Sequence, residues 1–157
     1  MKQYLLDFFK YNDVSNITLL ASIKKLPEKE ESLKLFSHLI TTQNKWFNRI
    51  SKEVEDNHHE WFGTVFTMDQ LEVEWSKSIN KWLVIIENAT EPELEEFVRF
   101  KRQTDGKEMG ISLKDLSLQL NYHSIHHRAQ INTLISKQGI KPPATDYIFT
   151  KLVEMPL

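Results

Sequence analysis

The feature that most constrains this chain is a pair of histidines interrupting an apolar stripe. Placed on a helix at about 100° per residue, Leu116, Leu120, Ile131, Leu134 and Ile135 fall on one face. His123 and His127 lie in the middle of that face, four residues apart, where a core helix carries leucine or isoleucine. Imidazoles turned toward a core cost free energy unless they are satisfied. They project from consecutive turns, about 6 Å apart along the axis, so their ring nitrogens can converge on one ion at about 2.0–2.1 Å. The spacing alone also suits two histidines hydrogen-bonded to backbone or carboxylate. The central position in the stripe favours a divalent metal. His126 lies about 80° from the stripe and flanks the pair.

An open metal site takes three protein ligands, and His38 is the natural third. It sits on the core edge of a second long helix, beside Thr42 and Arg49. His58 and His59 are poorer candidates, in the polar stretch DNHHEW. No HExxH occurs, so the zincin arrangement is excluded. Ser124 lies between His123 and His127, but no acid is placed to orient a base for it. Gln119 and Gln130 flank the pair and could hydrogen-bond a ligand imidazole or a bound water.

Around these residues the chain reads as four long amphipathic helices. Residues 2–25 repeat apolar positions at Leu5, Leu6, Phe9, Ile17, Leu20 and Ile23, and Pro27 ends the run. Residues 29–53 carry Leu35, Leu39, Thr42, Trp46 and Ile50 on one face. Residues 54–66 read as a loop. Thr67 or Asp69 caps a third helix running to about Asn88, with Trp75, Ile79, Trp82 and Ile86 buried. Glu91, Glu93, Glu95 and Glu96 read as a solvated charge run. Residues 96–103 alternate before the turn sequence Thr104-Asp105-Gly106-Lys107, which suggests a short hairpin. The fourth helix spans 112–137, Gly139 is its C′ residue, and Pro142-Pro143 opens an extended tail. The expected fold class is all-α: a four-helix bundle with a short β-hairpin before the last long helix. Bundles of this kind build metal sites from facing helices. The four tryptophans read most simply as core, with Trp46 and Trp61 able to border a pocket.

Composition narrows the function classes. At 157 residues, one domain over 1–157 is expected. The net charge of −2 and the lack of a basic block argue against a nucleic-acid partner. Cysteine is absent, so the chain has no disulfide, no thiolate metal site and no cysteine nucleophile. That suits a cytoplasmic setting. No apolar run approaches the roughly 20 residues that span a bilayer, and MKQYLLDFFKYNDV lacks the pattern of a signal peptide.

Three stretches resemble the DinB-like (damage-inducible protein) family of metal-dependent bundles. His38-Leu-Ile-Thr-Thr-Gln-Asn-Lys-Trp46-Phe-Asn-Arg49 is similar to its second-helix motif. His123-Ser-Ile-His126-His127-Arg128-Ala129-Gln130-Ile131 is similar to the fourth-helix motif, usually HxxxHRGQI. Pro143-Ala-Thr-Asp146-Tyr147 is similar to the family's tail, and Tyr11-Asn12 in the first helix also fits. The resemblance implies an up-down-down-up bundle and a metal triad of His38, His123 and His127, the same three residues the stripe selects. Three positions depart from the pattern. Ala129 stands for glycine, Gln119 for a further histidine, and Asp13-Val14 for a tryptophan.

A three-histidine site with an open position suits zinc or nickel. Three neutral imidazoles leave the ion's charge uncompensated, which favours water, hydroxide, thiolate or carboxylate there. The resemblance further implies a low-molecular-weight thiol as cofactor, a small-molecule substrate, thiol S-transferase chemistry and a homodimer. The alternative, from another class, is a non-catalytic dimeric binding or stress-response module in which metal is structural or absent.

Overall fold

The computed structural model describes residues 1–51 and 61–155. Its helices are α1 (Lys2–Ile23), α2 (Glu30–Ser51), α3 (Met68–Asn88), the single turn α4 (Glu91–Leu94) and α5 (Leu113–Lys137). An antiparallel hairpin of β1 (Phe97–Lys101) and β2 (Glu108–Ser112) precedes α5, pairing Phe97 with Ser112 and Lys101 with Glu108. The chain is therefore mostly helical with one small hairpin. His58 and His59 lie outside the described residues.

The helix ends follow local chemistry. α1 stops at Ile23, two residues earlier than its apolar pattern suggests. The Lys24, Lys25 and Leu26 amides turn back onto the Leu20, Ser22 and Ile23 carbonyls, which places Leu26 in the core. Thr67 is the N-cap of α3, and its amide donates to Gln70 Oε1 at 3.0 Å. Gly139 follows the C-cap of α5 at φ +75°, a conformation that glycine adopts without a Cβ penalty. The expected charge run forms α4, a turn capped by Thr90. Glu91 accepts from the Met1 ammonium and the Lys2 amide, each at 3.0 Å, which pins the start of α1.

Each long helix packs against two others: α1 and α2 both contact α3 and α5. A helix with two neighbours buries a wider arc than a single stripe. That explains where the observed core departs from the expected one. On α1 the core line runs through Leu5, Phe9, Leu19 and Ile23, while Ile17 is 44% exposed. On α2, Phe36 and Ile40 are fully buried, while Leu35, Trp46 and Ile50 are half-buried. Trp75 and Trp82 are fully buried, as expected. Phe36 meets Trp75 edge-on at 5.5 Å, and Phe9 stacks on Trp82 at 6.0 Å. Both indole N–H groups have acceptors. Asp13 Oδ1 takes Trp75 at 2.8 Å and the Gln43 carbonyl takes Trp82 at 3.1 Å. Asp13, one of the departures noted above, thus ties α1 to α3.

α5 has two buried faces. One is the apolar stripe of Leu116, Leu120, Ile131 and Ile135. The other is polar and carries Ser117, Asn121, Ser124 and Arg128, all at most 2% exposed. Arg128 Nη1 donates to Asn12 Oδ1 at 2.7 Å and Nη2 to the Tyr11 hydroxyl at 2.8 Å. Tyr11 donates onward to the Thr145 carbonyl at 2.8 Å. Asn16 Nδ2 donates to Asn12 Oδ1 and to Ser124 Oγ. This network holds α1, α5 and the tail together, and it engages Ser124 as a structural acceptor.

Candidate metal centre

His38 enters from α2 and is 5% exposed; His127 enters from α5 and is 7% exposed. His123, one turn before His127, is half-buried. One ring nitrogen from each of the three lies within 4.8 Å of the others. The ring centroids are 5.0 Å apart for His38 and His123, 4.9 Å for His38 and His127, and 4.5 Å for His123 and His127. Helical spacing brings the α5 pair together, and the packing of α2 on α5 brings in His38.

Hydrogen bonds on the far sides of the rings set the tautomers. His38 Nδ1 lies 2.6 Å from the Trp61 carbonyl oxygen. A carbonyl only accepts, so Nδ1 carries the proton and Nε2 keeps its lone pair. His127 Nδ1 lies 2.6 Å from Gln130 Oε1 and likewise donates, which leaves Nε2 free. His123 Nε2 is 3.0 Å from His38 Nε2. Two nitrogen lone pairs this close need a proton or a cation between them.

Burial is the main cause of a lowered pKa at all three rings. Together with the charges of His127, His38 and His126, it brings His123 down to about 4. His38 is lowered by burial and by the Lys45 charge, against the opposing Trp61 bond. His127 is lowered by burial, against its Gln130 bond, and by His38 and His126. At neutral pH the centre presents three uncharged imidazoles, the form that ligates metal.

This arrangement fits a divalent ion. Two nitrogens bonded to one ion at about 2.0–2.1 Å lie at most about 4.2 Å apart. The 3.0 Å pair already meets that limit, and ring rotations of a fraction of an ångström bring in the third. Ring N–H groups donated to carbonyl oxygens are the usual outer support of ligand histidines. Among the described residues these three could hold a metal ion.

Several flanking residues sort cleanly. Gln130 supports His127, whereas Gln119 is exposed. His126 is exposed and flanks His127 at 5.1 Å between ring centroids. Ala129 lies on the exposed outer face, as expected of a mild change. Trp46 and Trp61 are half-buried, with the Arg49 guanidinium 4.4 Å and 5.6 Å from their ring centres; Trp61 borders the site through its carbonyl, whereas Trp46 packs on Phe100.

Two participants left no mark in the sequence pattern. The Trp61 carbonyl is a backbone acceptor, which any residue type supplies. Phe62 stacks face to face on His38, with centroids 3.9 Å apart and planes 6° from parallel, while remaining 48% exposed.

A mostly helical chain with a three-histidine cluster between two helices defines a protein able to hold a metal ion. The chain belongs to the DinB family, whose family profile matches residues 1–155. No curated protein and no solved structure matches it. Among the described residues, no helix is long and apolar enough to cross a membrane.

Proposed function

We propose that the protein is a divalent-metal protein in which His38, His123 and His127 hold the ion and leave one or more positions open. The observation that carries this reading is the fixed tautomer of His38 and His127. Each ring donates Nδ1–H away from the cluster, so Nε2 faces inward. We further propose a thiol S-transferase, using a low-molecular-weight thiol against a small electrophilic substrate. A bound zinc or nickel ion would supply Lewis acidity, holding a thiol as its thiolate near neutral pH. The three imidazoles add no negative charge to offset the ion, which favours an anionic fourth ligand. Phe62 covers one face of His38 and keeps water from it. In the same reading the four long helices run up-down-down-up as a single bundle domain, and the protein is a cytoplasmic homodimer. The absence of cysteine suits that compartment.

The test starts from tag-free protein incubated with zinc or nickel and desalted. Wild type retains stoichiometric metal, and the His123→Ala/His127→Ala variant does not. If neither retains metal, the metal reading fails. Metal-dependent conjugation of small thiols to a generic electrophile then supports a transferase. Metal retention without conjugation for any thiol tried favours the non-catalytic module.

A further inference from the structure

His38 depends on two residues that belong to no helix. Trp61 and Phe62 form a turn ahead of α3 and meet the imidazole on two sides. The Trp61 carbonyl accepts from Nδ1 at 2.6 Å, and Phe62 stacks on the ring face. A carbonyl in a turn points where the surrounding backbone aims it. Neither Trp61 nor Phe62 makes a main-chain hydrogen bond to another described residue.

The Trp61 side chain is held instead. Lys45 Nζ lies 4.3 Å from the centre of its ring and the Arg49 guanidinium 5.6 Å. Both distances are within the reach of cation–π attraction. Lys45 and Arg49 stand seven and eleven residues beyond His38, and all three lie within about 40° of one another around α2. One stripe of α2 therefore carries the imidazole and the two cations that face its partner's ring. Arg49 is itself set between further rings, 4.4 Å from Trp46 and 4.8 Å from Phe100 of β1. Any residue supplies a carbonyl, but only an aromatic face is attracted to these cations in this way. An imidazole whose Nδ1 loses its acceptor can carry its proton on either nitrogen. A proton on Nε2 would remove the lone pair that His38 turns toward His123.

We propose that the Trp61 ring is a positioning element for the three-histidine centre. Lys45 and Arg49 hold the ring along α2, and this keeps the Trp61 carbonyl on His38 Nδ1 and leaves Nε2 free to ligate. The purpose of this device rests on the metal reading above, whereas its first test needs no metal.

Metal-free protein carrying isotope-labelled histidine is studied near neutral pH, where proton–nitrogen correlation spectra report which ring nitrogen bears the proton. Wild type shows His38 and His127 protonated at Nδ1. Trp61→Ala keeps the carbonyl and removes the ring. It shifts His38 toward protonation at Nε2 and leaves His127 unchanged. Lys45→Met/Arg49→Met produces the same shift, and adding Trp61→Ala to it shifts His38 no further. Zinc competition with a chelator then shows about tenfold weaker binding by Trp61→Ala, the scale of a lost outer partner of a ligand histidine. If the cation variant does not fold, Arg49→Met takes its place. The proposal is overturned if His38 keeps its wild-type pattern in Trp61→Ala, or if His127 shifts equally, as a general loosening of the fold would cause. It is also overturned if the combined variant shifts His38 further, because the cations would then act on the imidazole directly, or if Trp61→Ala binds zinc as tightly as wild type. If wild type binds no zinc, the metal reading fails alone, and the proton positions still decide whether the Trp61 ring positions His38.

Discussion

The two buried faces of α5 solve the problem of a polar core in opposite ways. Toward α1, Arg128 and Ser124 find donors and acceptors within the protein, at Asn12, Tyr11 and Asn16. Toward α2, His123 and His127 have their outer bonds arranged so that nitrogen lone pairs converge. The first face spends most of its hydrogen-bonding groups within the protein, leaving Asn12 Nδ2, Asn16 Oδ1 and Asn121 Oδ1 without a partner among the described residues, and the second turns its ring nitrogens toward one another. Burial alone does not separate them, because Arg128 and His127 are both buried. Hydrogen-bond accounting does.

The strongest way to break this comparison is at Arg128. Arg128→Met removes the donor to the Tyr11 hydroxyl and one of the two donors to Asn12 Oδ1, and is expected to lower stability by about 3 kcal/mol or more. Its zinc stoichiometry should stay unchanged. Urea unfolding and metal analysis read the two effects, and a stable variant that loses metal would reverse the roles assigned to the two faces. His127→Ala should do the opposite. One ligand's share of a site worth about 10–16 kcal/mol corresponds to more than about 100-fold in zinc affinity, and the metal-free protein should unfold at nearly the wild-type urea concentration.

Gln130→Leu sharpens the contrast further out. It removes the acceptor that orients His127 and should weaken zinc binding by about 10–100-fold, measured by competition with a chelator. An unchanged affinity would make the Gln130 contact incidental.

The smallest effect is in pH. His123 titrates near 4 in the folded chain and near the ordinary 6.5 when unfolded. Between these values the unfolded state binds more protons, so the stability of metal-free protein falls as pH drops from 6.5 toward 4. His38 and His127 shift in the same direction. His123→Gln should flatten that slope in thermal unfolding followed across the range, and superimposable profiles would show that His123 is not desolvated.

The same contrast explains what the sequence made legible. The clustering of His38, His123 and His127 was readable because two imidazoles broke an apolar stripe and a third lay on the edge of another. Gln130 followed from its position beside the pair. The hairpin followed from alternation around a turn sequence, with Gly106 at φ +68°. The α1-facing side of α5 was not readable, because Ser117, Asn121, Ser124 and Arg128 look like a solvated face to any count of apolar residues. Ile17 was misplaced because α1 serves two neighbours, and its true core line runs through Asn12 and Asn16 as well as Leu5 and Phe9. The Trp61 carbonyl could not have been found, because a main-chain oxygen has no residue identity.

Trp61 also gives the protein an optical consequence. Its main chain holds His38 and its indole face lies under Lys45. Trp75 and Trp82 are sealed in the core away from solvent. Their emission is a steady background, whereas Trp61, like Trp46, emits from a half-buried position, and of these two it is Trp61 that bonds His38. A nickel titration followed by native fluorescence therefore tests the proposed centre without a label, and dimming of the half-buried tryptophans before the core pair is the expected outcome.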